Sequence, residues 1–316
     1  MKQKRWRQIL AALLLAVLLA ASSSACGAAP GQEPLSPAFR MAADARVSYL
    51  GPAGTYTEEA ARFFFFPNTS SLIPEATVPA AIADVAAGRA DFALIPQENT
   101  IGGAVTYYVD ALMAERGIFV VGEVILPISQ TLMGVPGASL DEIRLVCSHA
   151  QGLAQSAEWR QAHLPGAQTR EMDSTAAAAS FVAETGDKTI AAIAAPGAAG
   201  LYGLTVLAEN VQITLANKTR FYVLAAAPAE EGSRTHAVFV AECEANRLDD
   251  IILALRKADL ELVTIHDRPE GSQLGTYRYL IEVENENGIS EKTIGKVERI
   301  KEIQCLGSFN VVEKVD

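Results

Sequence analysis

Four short polar segments hold most of the side chains that could do chemistry. They are Pro96-Gln97-Glu98-Asn99-Thr100-Ile101-Gly102-Gly103, Ser148-His149-Ala150-Gln151-Gly152-Leu153-Ala154-Gln155, Ser174-Thr175 and Asn217-Lys218-Thr219-Arg220-Phe221. Hydroxyls and carboxamides dominate them. These are hydrogen-bonding groups, and taken singly none of the segments specifies a reaction. Each segment also has a plain structural use. Ser148 and Ser174-Thr175 suit helix N-caps, and Glu98-Asn99-Thr100 suits a turn. His149 suits an ordinary core or surface histidine, and Thr219 an ordinary strand position. There is no Walker loop, no GxGxxG, no nucleophile elbow and no metal-spaced Cys/His set, so no cofactor and no metal are expected.

An alternation of strands and helices must position these segments. Strand-like runs fall at 46–50, 91–96, 118–124, 144–148, 189–193 and 220–225. Helical runs begin after Thr55 and cover 80–87, 105–115, 151–161 and 175–184. This alternation predicts an α/β fold, in which ligands gather at strand ends, where the polar segments fall. A small, polar stretch at Ala226–Ser233 reads as a linker. Beyond it come a strand at 236–241, a helix at 247–258, strands at 261–267 and 276–284, a helix from Ser290 and a closing strand at 307–313. The order β-α-β-β-α-β is the ferredoxin-like unit.

The N-terminus reads as an export address. Lys2, Lys4, Arg5 and Arg7 precede the apolar run Ile9–Ala21, then small residues to Ala25, then Cys26. Residues 1–25 therefore read as a signal peptide, too short to span a bilayer comfortably. Cleavage after Ala25 and a lipoprotein box acylated at Cys26 are the two processing alternatives, and a retained anchor is the third. Residues 26–44, rich in Ala, Pro, Gly and Ser, read as a flexible tether. The expected location is periplasmic or cell-surface, as a lipoprotein held at Cys26. The chain has 316 residues, is half hydrophobic and carries a formal net charge of −11 with pI about 5.0. That composition excludes general disorder and argues against nucleic acid or an anionic membrane surface as partner. Cys147, Cys243 and Cys305 lie far apart and read as isolated thiols, with one disulfide left open.

In combination and in this order, the segments resemble prephenate dehydratase. Gly51-Pro52-Ala53-Gly54-Thr55-Tyr56 resembles the family's GPxGTF opening, and Pro96–Gly103 its P-x-E-N-(S/T)-x-x-G segment. Ser148–Gln155 resembles S-H-P-Q-x-x-x-Q with Ala150 in the proline position, and Asn217–Phe221 resembles N-x-T-R-F. Ser174-Thr175-Ala176, Ala191-Ala192-Ile193 and Ala198–Leu204 continue the match, which spans about residues 46–225. Ser129 and Ile213 stand where the family commonly has histidine and aspartate.

The resemblance implies a two-lobed catalytic domain over 45–226, like a periplasmic binding protein. Its lobes would be 46–120 plus 206–225, and 125–205. It implies an ACT regulatory domain over 234–316, where His266-Asp267-Arg268-Pro269 stands for the family's E-S-R-P and Asn246-Arg247-Leu248 for its G-A-L. The implied activity is conversion of prephenate to phenylpyruvate with loss of water and CO₂. Thr219 would assist hydroxide departure. Glu98, Asn99, Thr100, Ser148, Gln155, Thr175 and Arg220 would bind substrate. Arg220 has a competing orientation, since neighbours on a strand alternate between faces. Phenylalanine as effector would sit near Leu248 and Arg268, and the ACT units would pair the chains into a homodimer or tetramer. An exported, non-catalytic binding or sensing protein for an aromatic or keto-acid ligand is the alternative reading. Decarboxylation without dehydration would not need Thr219, and arogenate is an alternative substrate.

Overall fold

The computed structural model describes residues 44–65, 71–214, 216–229, 234–272 and 274–315. The expected signal peptide, Cys26 and all of the tether but Asp44 lie outside the described residues.

The first lobe is built on a mixed sheet. Its strands are β1 (Arg46–Leu50), β2 (Ser71–Glu75), β3 (Phe92–Asn99), β4 (Gly103–Ala104), β5 (Phe119–Pro127), β11 (Lys218–Ala225) and β16 (Val311–Glu313). The order is β16-β5-β11-β3-β1-β2, with β4 on β3. The central strands are nearly continuous apolar runs because both faces are covered. Helix α1 (Tyr56–Phe65) buries Ala60, Ala61, Phe64 and Phe65 at helical spacing. Glu58 and Glu59 in its first turn and Arg62 in its last suit the helix dipole. Helix α2 (Val78–Ala86) is capped by Thr77, whose hydroxyl accepts from the Ala80 amide at 3.2 Å. Helix α3 (Thr106–Ala114) completes the lobe. Strand β2 has no counterpart among the strands expected from sequence. It is short and contains Pro74, which a sheet tolerates at the edge that β2 occupies.

The second lobe has the sheet order β10-β6-β9-β7-β8, from β6 (Thr131–Gly134), β7 (Leu145–Ser148), β8 (Gln168–Glu171), β9 (Ile190–Ala194) and β10 (Thr205–Ala208). Helices α4 (Ala150–Gln155), α5 (Ala157–His163), α6 (Thr175–Thr185) and α7 (Pro196–Tyr202) pack on it. The single helix expected at 151–161 is two. Its break is Ser156, whose hydroxyl donates to the Gly152 carbonyl at 2.7 Å and whose backbone leaves the helical region. The lobe boundaries also move. Strand β5 stays in the first sheet as far as Pro127, and β10 at 205–208 pairs with β6 in the second. The chain therefore crosses between lobes at 128–130 and at 209–217. Hydrophobic period marks strands but not the sheet each one joins, hence the shift.

The C-terminal unit comprises β12 (Arg234–Glu244), α8 (Leu248–Lys257), β13 (Glu261–Pro269), β14 (Thr276–Ile289), α9 (Glu291–Val297) and β15 (Ile303–Phe309), with the antiparallel order β13-β14-β12-β15. The expected closing strand is split, because β16 leaves the unit and pairs in parallel with β5 of the first lobe. Val238, Leu280, Leu306 and Phe309 form one core with Val120 and Tyr222 of the first lobe. At Gly307, φ is +147°, and a Cβ there would stand 2.1 Å from the Val120 carbonyl oxygen, so only glycine permits this approach. Cys147, Cys243 and Cys305 are buried thiols, and none of them is in a disulfide among the described residues.

Candidate active site

A cleft of about 800 Å³ lies between the two lobes. The first lobe contributes Gly51–Pro52, Thr55–Thr57, Asn99, Thr219 and Phe221, and the second contributes His149, Gln151, Gln155 and Asp173–Thr175. The turn after β1 is held by buried Glu58, which accepts from the Gly54 amide at 2.6 Å and the Tyr49 hydroxyl at 3.2 Å. The Tyr202 hydroxyl of the second lobe donates to the Ala53 carbonyl at 2.7 Å and clasps the lobes together. A second depression, about 960 Å³, lies on the C-terminal unit among Arg256, Asp259, Glu261, Glu284 and Glu286 and contains none of the motif residues.

Hydrogen bonds orient the centre of the cleft. Asn99 Oδ1 accepts from the backbone amides of Ile101 at 3.0 Å and Gly102 at 2.9 Å. Two fixed donors on one side leave the carboxamide a single orientation, with Nδ2 on the other. Asn99 Nδ2 then donates to Thr219 Oγ1 at 2.9 Å and Asn217 Oδ1 at 2.7 Å. Asn217 Nδ2 in turn donates to Gln155 Oε1 at 3.2 Å, which Gln130 Nε2 also reaches at 3.1 Å. The direction of the train has a chemical consequence. Thr219 Oγ1 is an acceptor inside the protein, so its own proton remains to be given to a bound molecule. Accepting a bond also polarises that hydroxyl.

The segments named from sequence divide between the cleft and its supports. Asn99, Gln155, Thr175 and Thr219 line the cleft. Ser174, rather than Thr175, caps α6 by accepting from the Ala177 amide at 2.9 Å, which leaves Thr175 free to face the cleft. Ser148 is fully buried and donates to the Ile193 carbonyl at 2.7 Å. It lies under α4, where a Cβ on Gly152 would come within 2.4 Å of its oxygen, and it supports the cleft without lining it. Thr100 accepts from the Lys218 amide at 3.0 Å and ties two loops together.

Glu98 and Arg220 are corrections to the expected substrate contacts. Strand alternation turns both away from the cleft toward the C-terminal unit. Arg220 takes Glu123 in a bidentate pair at 2.7 and 2.8 Å, reaches Glu98 at 3.4 Å, and pairs with Glu282 of β14. Arg268 and Leu248, expected beside an effector, also have partners. Arg268 binds Asp110 on α3 at 2.5 and 2.7 Å, and Leu248 packs half-buried on the core.

Gln130, Glu123 and Glu282 are not among the residues expected from sequence, and Asn217 is expected only as part of its motif, with no role of its own. Asn217 has a signal, since it stands two residues before Thr219, just ahead of β11. Glu282 had one too, a carboxylate between the apolar residues Ile281 and Val283 in a buried strand. Gln130 had none.

Two fully buried carboxyls, Glu123 and Glu282, face one guanidinium. Burial first, and then Glu282, push Glu123 up to about 8 against the opposing pull of Arg220. The pair therefore keeps one proton near neutrality. His236 and His266 on the adjoining strands are held below the usual imidazole range, chiefly by burial. The stability consequence has a definite sign. A carboxyl raised on folding stabilises most at low pH, and that stability is lost as pH climbs toward about 8. The depressed histidines act oppositely, but only below about pH 6.5, their unfolded value. Between about pH 6.5 and 8.5 the Tm is therefore expected to fall by a few degrees. Thermal melts of Glu123→Gln should show a flatter profile; an unchanged slope would remove Glu123 as its source.

Comparison with known proteins places these features. The prephenate dehydratase family model matches residues 47–229. The prephenate dehydratase of Amycolatopsis methanolica is 34% identical over 272 residues, covering 84% of this chain and 88% of that protein. The crystal structure of prephenate dehydratase from Arthrobacter aurescens in complex with L-Phe is 31% identical, with TM-score 0.74 over 84% of this chain and 90% of that one. The solved structure of GqqA, described as a novel type of quorum quenching acylase, is 26% identical with TM-score 0.74, over 84% of this chain and 98% of that one.

Proposed function

The chain belongs to the prephenate dehydratase family, and from that premise we infer the chemistry of its cleft: prephenate enters, and phenylpyruvate, water and CO₂ leave. The bond from C1 to its carboxylate breaks, and its electron pair enters the ring. The ring becomes aromatic as the C4–oxygen bond breaks. The oxygen leaves as hydroxide, eased by a hydrogen bond that lowers the barrier, and becomes water by taking a proton from solvent. Thr219 supplies that bond.

The observation that carries this reading is the one-way train from the Ile101 and Gly102 amides through Asn99 to Thr219, which leaves the Thr219 proton for the substrate. Asn99, Gln155 and Thr175 orient the ring and the pyruvyl group. Among the described residues, those lining the cleft include neither Lys nor Arg. The substrate carboxylates thus fall to amide donors and to the helix starts at Tyr56 and Thr175. A loosely held C1 carboxylate favours its departure as CO₂. The test is purified protein mixed with prephenate near neutral pH, with phenylpyruvate followed by its absorbance in alkali. Absence of turnover while prephenate raises the Tm would favour the binding-protein reading.

Residues 234–316 are read as an ACT-type regulatory unit that pairs with a second copy and takes phenylalanine. The Arthrobacter aurescens enzyme, crystallised in complex with L-Phe, supports a phenylalanine effector. With Arg268 bound to Asp110, an effector has to displace that pair or use other groups. Residues 1–25 are read as an export signal, with Cys26 as the first mature residue and lipid attachment point. The mass of the mature N-terminal peptide tests this.

A further inference from the structure

We infer that Glu282 of the C-terminal unit is a positioning residue for the dehydration, acting on Thr219 through Arg220. This rests on the reading that Thr219 gives its hydrogen bond to the leaving oxygen.

The argument begins with strand register. Thr219 pairs with Asn99 and Arg220 with Glu98, and the next pair is Phe221 with Pro96. Gln97 is thus an extra residue, a bulge in β3 beside the site. Each dipeptide, Glu98-Asn99 and Thr219-Arg220, turns one side chain to the cleft and the other to the C-terminal unit. The outward side chains do not end in solvent. Arg220 meets Glu123 and Glu282, both fully buried, and Glu282 also accepts from the Tyr222 hydroxyl at 2.5 Å. Bulged Gln97 reaches His266 of the C-terminal unit at 3.1 Å.

The end of β11 is therefore held from outside. With one proton between Glu123 and Glu282, loss of the Glu282 charge lets Glu123 ionise and draws Arg220 wholly to β5, so the guanidinium lets go of β14 and shifts. Thr219 is the adjacent residue, and its hydroxyl direction depends on the backbone Arg220 anchors. A bulge is where a strand bends most readily, so a displacement at Arg220 is taken up near Asn99 and Thr219 rather than along the whole sheet. Glu282 touches nothing in the cleft, and its effect on the reaction passes through this one strand.

Glu282→Gln keeps the shape and removes the charge. It is expected to lower kcat between about 10- and 100-fold, the scale of a small misplacement of a catalytic group, with KM within twofold. In a Thr219→Val background the same change should have no further effect on kcat, because the group it positions is gone. Glu242→Gln, which removes an exposed pair with Arg278 on the same unit, is the control and should leave kcat unchanged. Tyr222→Phe, expected to give a smaller loss with the same non-additivity, serves if Glu282→Gln does not fold. The methyl resonance of Thr219, read by NMR without turnover, should move in Glu282→Gln and not in Glu242→Gln. An inactive wild type with a moving resonance would sink the dehydratase reading and keep the coupling. An active wild type would overturn the inference if that resonance stays put, or if the losses multiply in the double variant.

Discussion

Thr219→Val is expected to lower kcat about 100- to 1,000-fold, the range for losing one donor aimed at developing charge. Valine matches threonine in shape and suits a strand, so the fold should be untouched. Asn99 Nδ2 loses one acceptor but keeps Asn217 Oδ1 at 2.7 Å and the Lys218 carbonyl at 3.2 Å. KM should change little, because the hydroxyl contributes most as the C4–oxygen bond breaks. Thr219→Ser restores the hydroxyl without the methyl that fixes its rotamer and should recover part of the rate. Steady-state kinetics on the three proteins decides the matter. A valine variant within fivefold of wild type would move the donor role elsewhere in the cleft.

Asn99→Asp should be more damaging than Asn99→Ala, although aspartate is much the closer in shape. Aspartate can still accept from the Ile101 and Gly102 amides. Its second oxygen then faces Thr219 Oγ1 where Nδ2 used to be. Two oxygens at that distance need a proton between them, and only Thr219 has one to give. The hydroxyl turns inward, bound to a carboxylate by about 1.5–3 kcal/mol, and no longer points at the substrate. Freeing it costs roughly 10- to 100-fold in rate at 1.36 kcal/mol per factor of ten. Asn99→Ala leaves the hydroxyl unheld but free. The kcat of the two variants, with circular dichroism to check folding, gives the comparison. An alanine variant as slow as the aspartate one would mean that holding Thr219, not the direction of its proton, is what matters.

The chemistry-bearing residues were legible from sequence because their types are local and their order is specific. The Asn217–Phe221 run, the Glu98-Asn99 pair and the Ser148–Gln155 run each lie at the end of a strand whose apolar run is plain. Secondary-structure type was legible for the same reason, since α1, β3, β11 and the C-terminal β-α-β-β-α-β order all follow from period and turn residues. What could not be read was which face of a strand meets which neighbour. Thr219 and Arg220 are adjacent and both polar, and only the placing of Glu123 on β5 and Glu282 on β14 shows which of them faces the cleft. Ser148 carries a hydroxyl in a motif, yet the Ile193 carbonyl, 45 residues away, accepts its hydrogen bond. Residue types and their periods were enough for the α/β class, the motif set and a candidate donor hydroxyl. The direction of its hydrogen bonds and the groups that hold it come from packing, because hydrogen-bond direction and burial depend on contacts between segments over a hundred residues apart, such as Asn99 and Thr219.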